Sequence, residues 1–243
     1  MTADAVHIWT ARPACVSSSQ WVELEALLDA SETAQASRFR FDEDRRSYVL
    51  AHALRRQALS QALGISPHDL HFHSGENGKP VIRSPDAADL FFSHSHTRRA
   101  VAVAATRVGP IGIDIEALDP ALDPGDLLEA FIESACTSCF HAQWTALEAY
   151  WKAQGTGLDS GNPRIRLEQA QDGCLAIIDE SPSDARQSDV PRPHGRHDLS
   201  RAMVHPLDLQ PDCAAALAVL QPGAQTLRHM EIFGLSDTNK ERR

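Results

Sequence analysis

The chain has 243 residues, 42% hydrophobic and 23% charged, with 33 Asp plus Glu against 23 Lys plus Arg and a formal net charge of −10. That balance excludes a disordered tail, a collagen-like chain and a coiled coil, and it argues against a general nucleic-acid binder. No run approaches the roughly 18 apolar residues of a membrane span, and MTADAVHIWT lacks the basic start and apolar run of a secretory signal, so a cytoplasmic protein is expected. Five scattered cysteines (15, 136, 139, 174 and 213) suit reduced thiols better than a disulfide framework; Cys136 and Cys139 form a lone CxxC that leaves a zinc or redox role open.

Residues 20–60 read as two helices. In the first, Trp21, Leu24, Leu27 and Leu28 recur at helical spacing. The second starts among acids, ends before Gly64, and buries Tyr48, Leu50, Leu54, Ala58 and Leu59, leaving Arg45, Arg46, His52 and Arg56 on or beside a polar face. The arginines at 38, 40, 45, 46, 55 and 56 form either a local anion site or a solvated helix face. Phe72 to Val81 reads as a hairpin across Glu76–Asn77–Gly78, DLFFSHS as a strand, and AVAVAATRVGPIGIDIEA as a second hairpin turning at Gly109–Pro110. FHAQWTALEAYWKAQGTGL reads as a helix stopped by glycine, followed by the strands RIRLEQ, CLAIID, RAMVHPL and CAAALAVL. The outline of helix then strands occurs twice, which suggests a pseudo-repeat. Residues 181–199 read as a mobile polar loop, and SDTNKERR as a frayed tail.

Three groups carry chemistry. Strand alternation puts Ile111, Ile113 and Ile115 on one face and Gly112, Asp114 and Glu116 on the other, with Gly112 leaving room for a ligand. Two same-facing carboxylates need a cation or donors, and hard oxygen ligands suit Mg²⁺ or Mn²⁺; the plain alternative is an exposed acidic strand end. Glu148 and Lys152 share a helix face at i and i+4, flanked by Trp144 and Trp151, and are either a surface ion pair or part of a site. Ser93, His94, Ser95 and His96 end a strand in donors for an anion, with zinc on the two histidines as the competing thought. Lys79 is a single cation between Gly78 and Pro80, and His68, His71 and His73 read as surface residues. No GxSxG elbow, Walker loop or Rossmann fingerprint is present.

The order GKP, FFSHS, GIDIE and WTALEAYWKA with GTGL resembles the surfactin-type 4′-phosphopantetheinyl transferases from about Phe39 to Leu158. The resemblance implies an α+β fold, a pseudo-twofold pair of similar α/β halves (1–116 and 117–243) with the ligand cleft between them. It implies transfer of 4′-phosphopantetheine from coenzyme A to a serine of an apo acyl or peptidyl carrier protein, releasing adenosine 3′,5′-bisphosphate. It assigns Asp114, Glu116 and Glu148 to Mg²⁺, Lys152 to the departing bisphosphate, Ser93, His94 and Lys79 to the coenzyme phosphates, and Arg45 or Arg46 to its 3′-phosphate. Glu148 would take the serine proton. The chain departs from the family at Phe91, where FNxSH has Asn, and at Leu147, where WTxKEA has Lys; Glu133 would have to stand for the acid after the mid-chain Phe. A monomer is expected, docking carriers on an apolar face with Leu122, Leu127, Leu128, Phe131 and Phe140. The competing readings are a Mg²⁺-dependent phosphohydrolase or nuclease, and a catalytically weak coenzyme A-binding protein.

Overall fold

The computed structural model describes residues 5–75, 78–83, 87, 89–119, 121–122, 131–132, 140–157, 165–169, 174–179, 201–220 and 230–234. The loop at 181–199, the CxxC, Glu133, Leu127 and Leu128 lie outside the described residues.

Strand β1 (Val6–Ala11) is followed by helices α1 (Ser18–Ala26), α2 (Ala30–Ala36) and α3 (Asp42–Leu63). The sequence suggested two helices here; Asp29 makes three, because its side chain caps the amides of Ser31 and Glu32 while Glu32 reaches back to its backbone. Helix α3 begins with Asp42, Glu43 and Asp44, which favour the positive end of its dipole, and stops where Gly64 takes φ 73°. The short strands β2 (Phe72–Ser74) and β3 (Pro80–Ile82) pair as expected, Phe72 opposite Ile82.

Strands β4 (Phe91–His96), β5 (Val101–Thr106) and β6 (Ile111–Ala117) come next, then helix α4 (Phe140–Gln154). Strands β7 (Ile165–Gln169), β8 (Leu175–Asp179), β9 (Arg201–Leu207), β10 (Cys213–Val219) and β11 (Met230–Gly234) complete the order. One sheet runs β11-β1-β5-β4 and the other β6-β10-β9-β8-β7. The expected hairpin of β5 with β6 does not form. Both edges of β5 are taken, by β1 and β4, so β6 crosses to the second sheet and pairs with β10 from Ile111↔Val219 to Ala117↔Cys213. The turn between them is pinned to that sheet: Leu220 donates to the Pro110 carbonyl at 2.8 Å, and a Cβ on Gly109 would lie 2.4 Å from the Leu220 carbonyl oxygen.

Alternation then sorts the side chains into three cores. Val6, Ile8, Ala102, Ala104, Ile111, Ile113, Ile115, Leu217 and Val219 fill the space between the sheets. Each fully buried isoleucine there contributes roughly 1.5–3 kcal/mol. Trp9, Val101, Val103 and Ala105 face α3, and Ala216, Ala218, Val204 and Ile177 face α4. The order of layers is therefore helix, sheet, sheet, helix.

Two expectations are corrected by these cores. Arg56 is 1% exposed rather than on a polar face. Phe140 is buried and Phe131 packs on the α4 core, edge-on to Trp151, so neither belongs to an exposed apolar face; Leu118 and Leu122 do lie exposed. No helix among the described residues is long and apolar enough to cross a membrane. Among the described residues, Cys15, Cys174 and Cys213 form no disulfide.

Candidate active site

Gly112 sets the geometry. A Cβ there would lie 1.9 Å from the Ala149 carbonyl oxygen and 2.5 Å from the Ala153 amide nitrogen, so the expected room for a ligand is filled by the α4 backbone. The missing side chain, with Ala218 opposite it on β10, lets the helix lie directly on the strand. That contact aligns two stripes. Strand β6 offers Asp114 and Glu116 at i and i+2; helix α4 offers Trp144, Glu148 and Lys152 at i, i+4 and i+8.

Lys152 Nζ lies 2.6 Å from Asp114 Oδ1 and 3.0 Å from Ser95 Oγ, and Ser95 donates to the same Asp114 oxygen at 2.8 Å. Asp114 is 2% exposed, and its other oxygen, Oδ2, is buried with no hydrogen-bond partner among the described residues. An orphaned carboxylate oxygen at this depth is costly unless a donor or cation meets it. Glu116 is pushed up to about 7, first by burial, then by Asp114, with Glu148 adding to the repulsion and Lys152 and a hydrogen bond from Trp144 opposing it. Glu148 is also raised, by burial and by Asp114, against the pull of Lys152. One lysine thus stands against three carboxylates. Among the described residues no group of three such side chains is already closed around an ion position, yet the excess negative charge and the unpartnered oxygen fit a small hard divalent cation.

Beside this group is a cavity of about 200 Å³ lined by Lys79, Ser93, His94, Lys152, Gly155 and Gly157 among others. Its lining comes from both sides of the inter-sheet seam. Ser93 accepts the Ile113 amide at 3.1 Å, tying β4 to β6. Lys79 donates to the Ile111 carbonyl at 3.2 Å and the Lys152 carbonyl at 2.5 Å; burial of its ammonium lowers it to about 8. His94 is held well below its usual range by its surroundings, then by Arg55 and His52. With two lysines and small or positively turning backbone at Gly155 and Gly157, the cavity suits a phosphorylated anion.

The structure therefore brings together Asp114, Glu116, Glu148, Lys152, Lys79, Ser93 and His94. It leaves Arg45 and Arg46 off the cavity lining. Arg45 pairs with Glu25 at 2.7 Å, and Arg46 with Asp42 at 2.7 Å while covering Trp21. Arg45 lies seven residues, about 10 Å, before His52 on one face of α3, and His52 meets the His94 ring at 5.8 Å. Such exposed pairs are worth about 0–1 kcal/mol and give way readily to a stronger anion. Arg55 and Arg56, expected either in an anion site or on a solvated face, are instead buried on Glu32 and Asp29. The sequence reading missed Ser95 as the partner of Asp114; strand alternation from Ser93 was the available signal. Leu147, where the family pattern has Lys, is 0% exposed in the α4 core.

Comparison with known proteins gives the family. Residues 14–108 match the family model described as 4′-phosphopantetheinyl transferase, N-terminal. The 4′-phosphopantetheinyl transferase HetI of Nostoc sp. is 32% identical over 171 residues, covering 65% of this chain and 72% of that protein. A 4′-phosphopantetheinyl transferase of Bacillus subtilis is 28% identical over 172 residues, 67% of this chain and 75% of its own. A phosphopantetheinyl transferase of Thraustochytrium sp. is 26% identical over 200 residues, 72% and 69%. The chain belongs to the 4′-phosphopantetheinyl transferase family and is an enzyme of that class.

Proposed function

We propose that this enzyme transfers 4′-phosphopantetheine from coenzyme A to a serine of an apo acyl or peptidyl carrier protein with the help of Mg²⁺. The observation that carries the reading is the Asp114–Lys152 contact at 2.6 Å, which joins the carboxylate group to the cationic cavity and leaves Asp114 Oδ2 unpartnered. Asp114, Glu116 and Glu148 would hold the cation, whose bound charge would neutralise the pyrophosphate. Lys79, Ser93 and His94 would hold the nucleotide phosphates, with Arg45 or Arg46 reaching the 3′-phosphate.

In the transfer the carrier serine Oγ forms a bond to the pantetheine-bearing phosphorus, and the bond from that phosphorus to the bridging pyrophosphate oxygen breaks. Glu148, whose affinity for a proton is raised, takes the serine proton. Lys152 meets the negative charge that develops on the departing adenosine 3′,5′-bisphosphate. Positioning and electrostatics carry the reaction without a covalent enzyme intermediate.

The reading extends to the architecture. The helix, sheet, sheet, helix order is what a pseudo-twofold pair of halves, 1–116 and 117–243, would produce, with β6 and β11 each joining the other half's sheet. A cavity at the seam would then be the cleft between halves. Exposed Leu118 and Leu122 mark the region proposed to meet the carrier. The test is incubation with coenzyme A, Mg²⁺ and a panel of apo carriers, read by intact mass. One added phosphopantetheine on a carrier serine is expected, lost in Asp114→Ala and Glu148→Ala. Release of inorganic phosphate, or coenzyme A binding without transfer, would overturn the reading.

A further inference from the structure

We infer that Ser95 is a positioning residue that fixes the Asp114 carboxylate against Lys152, so that Oδ2 is the oxygen left for a divalent cation. This role rests on the reading of Asp114 as a group that holds the cation; its own basis is a closed triangle of contacts. Ser95 Oγ donates to Asp114 Oδ1 at 2.8 Å and accepts from Lys152 Nζ at 3.0 Å. Lys152 Nζ donates to the same Oδ1 at 2.6 Å. An ammonium can only donate and an ionised carboxylate can only accept, whereas a hydroxyl does both, so chemistry sets every direction in the triangle. Ser95 is 8% exposed, and no water is needed to complete its bonding.

The triangle makes the two oxygens of Asp114 unequal. Oδ1 meets two donors, while Oδ2 is buried and meets none among the described residues. Lys152 alone would hold the carboxylate loosely, because its ammonium is a point charge on a flexible four-carbon stem. Ser95 removes that freedom. Its short side chain stands on β4, which is laddered to β5 with Ser95 opposite Ala102. Two residues earlier, Ser93 accepts the Ile113 amide at 3.1 Å and fixes β4 on β6 beside Asp114. The anchor is therefore built on two strands held in register, the kind of support that keeps a site in its working geometry. A neutral hydroxyl also orients the carboxylate without cancelling the negative charge that a cation requires, as a second lysine would. Removing the partner behind a metal ligand typically costs about 10–100-fold in metal affinity or activity.

The test uses the whole 243-residue chain and Mg²⁺ itself. Binding is measured by calorimetry in the presence of coenzyme A, alongside initial rates at increasing Mg²⁺. Ser95→Ala removes one oxygen and leaves the Lys152–Asp114 pair in place. It is expected to weaken Mg²⁺ binding by about 10-fold, with coenzyme A affinity and melting temperature retained and the rate recovering at saturating Mg²⁺. Ser95→Thr, which restores the hydroxyl on a side chain that strands accept, is expected to bring Mg²⁺ binding back toward the wild type. Asp114→Asn is expected to lose more than Ser95→Ala. Wild-type Mg²⁺ binding in Ser95→Ala would overturn the inference. So would the same loss in Ser95→Ala and a folded Ser95→Thr, or matched losses of metal binding, coenzyme A affinity and melting temperature. If Asp114→Asn loses the metal while Ser95→Ala does not, the role of Ser95 falls alone. If Asp114→Asn binds Mg²⁺ as the wild type does, the reading beneath it falls as well.

Discussion

Two groups of buried acids in this protein have opposite surroundings. Glu32, on α2, is met on every side: Arg55 at 2.5 Å, Arg56 at 2.7 Å, His52 at 3.0 Å and the Asp29 amide at 3.0 Å. Although burial pushes its carboxyl upward, these donors bring it down to about 2. Across the seam, Asp114, Glu116 and Glu148 share one lysine, and Glu116 is raised to about 7. The first group is electrostatically complete and holds α2 and α3 together; Arg56 also donates to the carbonyls of Pro67 and Leu70. The second is short of positive charge beside an open cavity. Similar residue types are thus charge-balanced in one place and left with excess negative charge in the other.

The largest effects should fall on opposite observables in the two groups. Glu148→Gln is expected to slow carrier modification by about 10²–10⁴-fold, the usual scale of a lost general base, while the urea midpoint holds or rises because a repelling charge is gone. Glu32→Gln is expected to do the reverse. Taking the charge from a buried ion cluster costs about 3–5 kcal/mol of folding stability, read from urea denaturation, while the folded fraction at low temperature still modifies its carrier. A destabilised Glu148→Gln, or a fully stable Glu32→Gln, would erase the contrast.

Gly112→Ala tests what brings the deficient group together. The added methyl meets helix backbone rather than a flexible side-chain end, so α4 must move. The expected cost is about 1–3 kcal/mol from overpacking, with a loss of transfer activity beyond what the stability change explains, because Glu148 and Lys152 move with the helix. Unchanged activity would mean that the register of α4 on β6 is not what positions these groups.

The reach of the sequence divides along the same line. Asp114 with Glu116, and Glu148 with Lys152, were visible because strand and helix periods place neighbours two and four residues apart on one face. So were the stop at Gly64, the hairpin of β2 with β3, and the four strands of the second half from β7 to β10. What periodicity does not carry is pairing across distance. Glu32 meets arginines 23 and 24 residues away, and Ser95 meets Asp114 across 19. The same limit hid the departure of β6 from β5: both strands alternate as a hairpin would, and only the prior claim of β1 on the edge of β5 decides otherwise. Gly112 was noticed for the right reason, its lack of a side chain, but the space went to a helix rather than a ligand.

The smallest expected effect is a difference in the sign of pH dependence. Glu32 holds its proton less tightly folded, at about 2, than the ordinary 4.5 of the unfolded chain; its contribution is complete above about 4.5 and is lost as pH falls through about 2. Glu116 holds its proton more tightly folded, at about 7. The folded protein therefore binds protons that the unfolded chain releases between about 4.5 and 7, and stability declines as pH rises through that window. Glu116→Gln removes the titration. Without metal, the variant should match the wild type near pH 4 and gain a modest advantage in melting temperature by pH 8, limited because the carboxylate is only partly buried. Glu32→Gln should instead lose its largest increment above pH 4.5 and little near pH 2. If both variants changed with pH in the same direction, the unequal pairing of the two acid groups would not be what separates them.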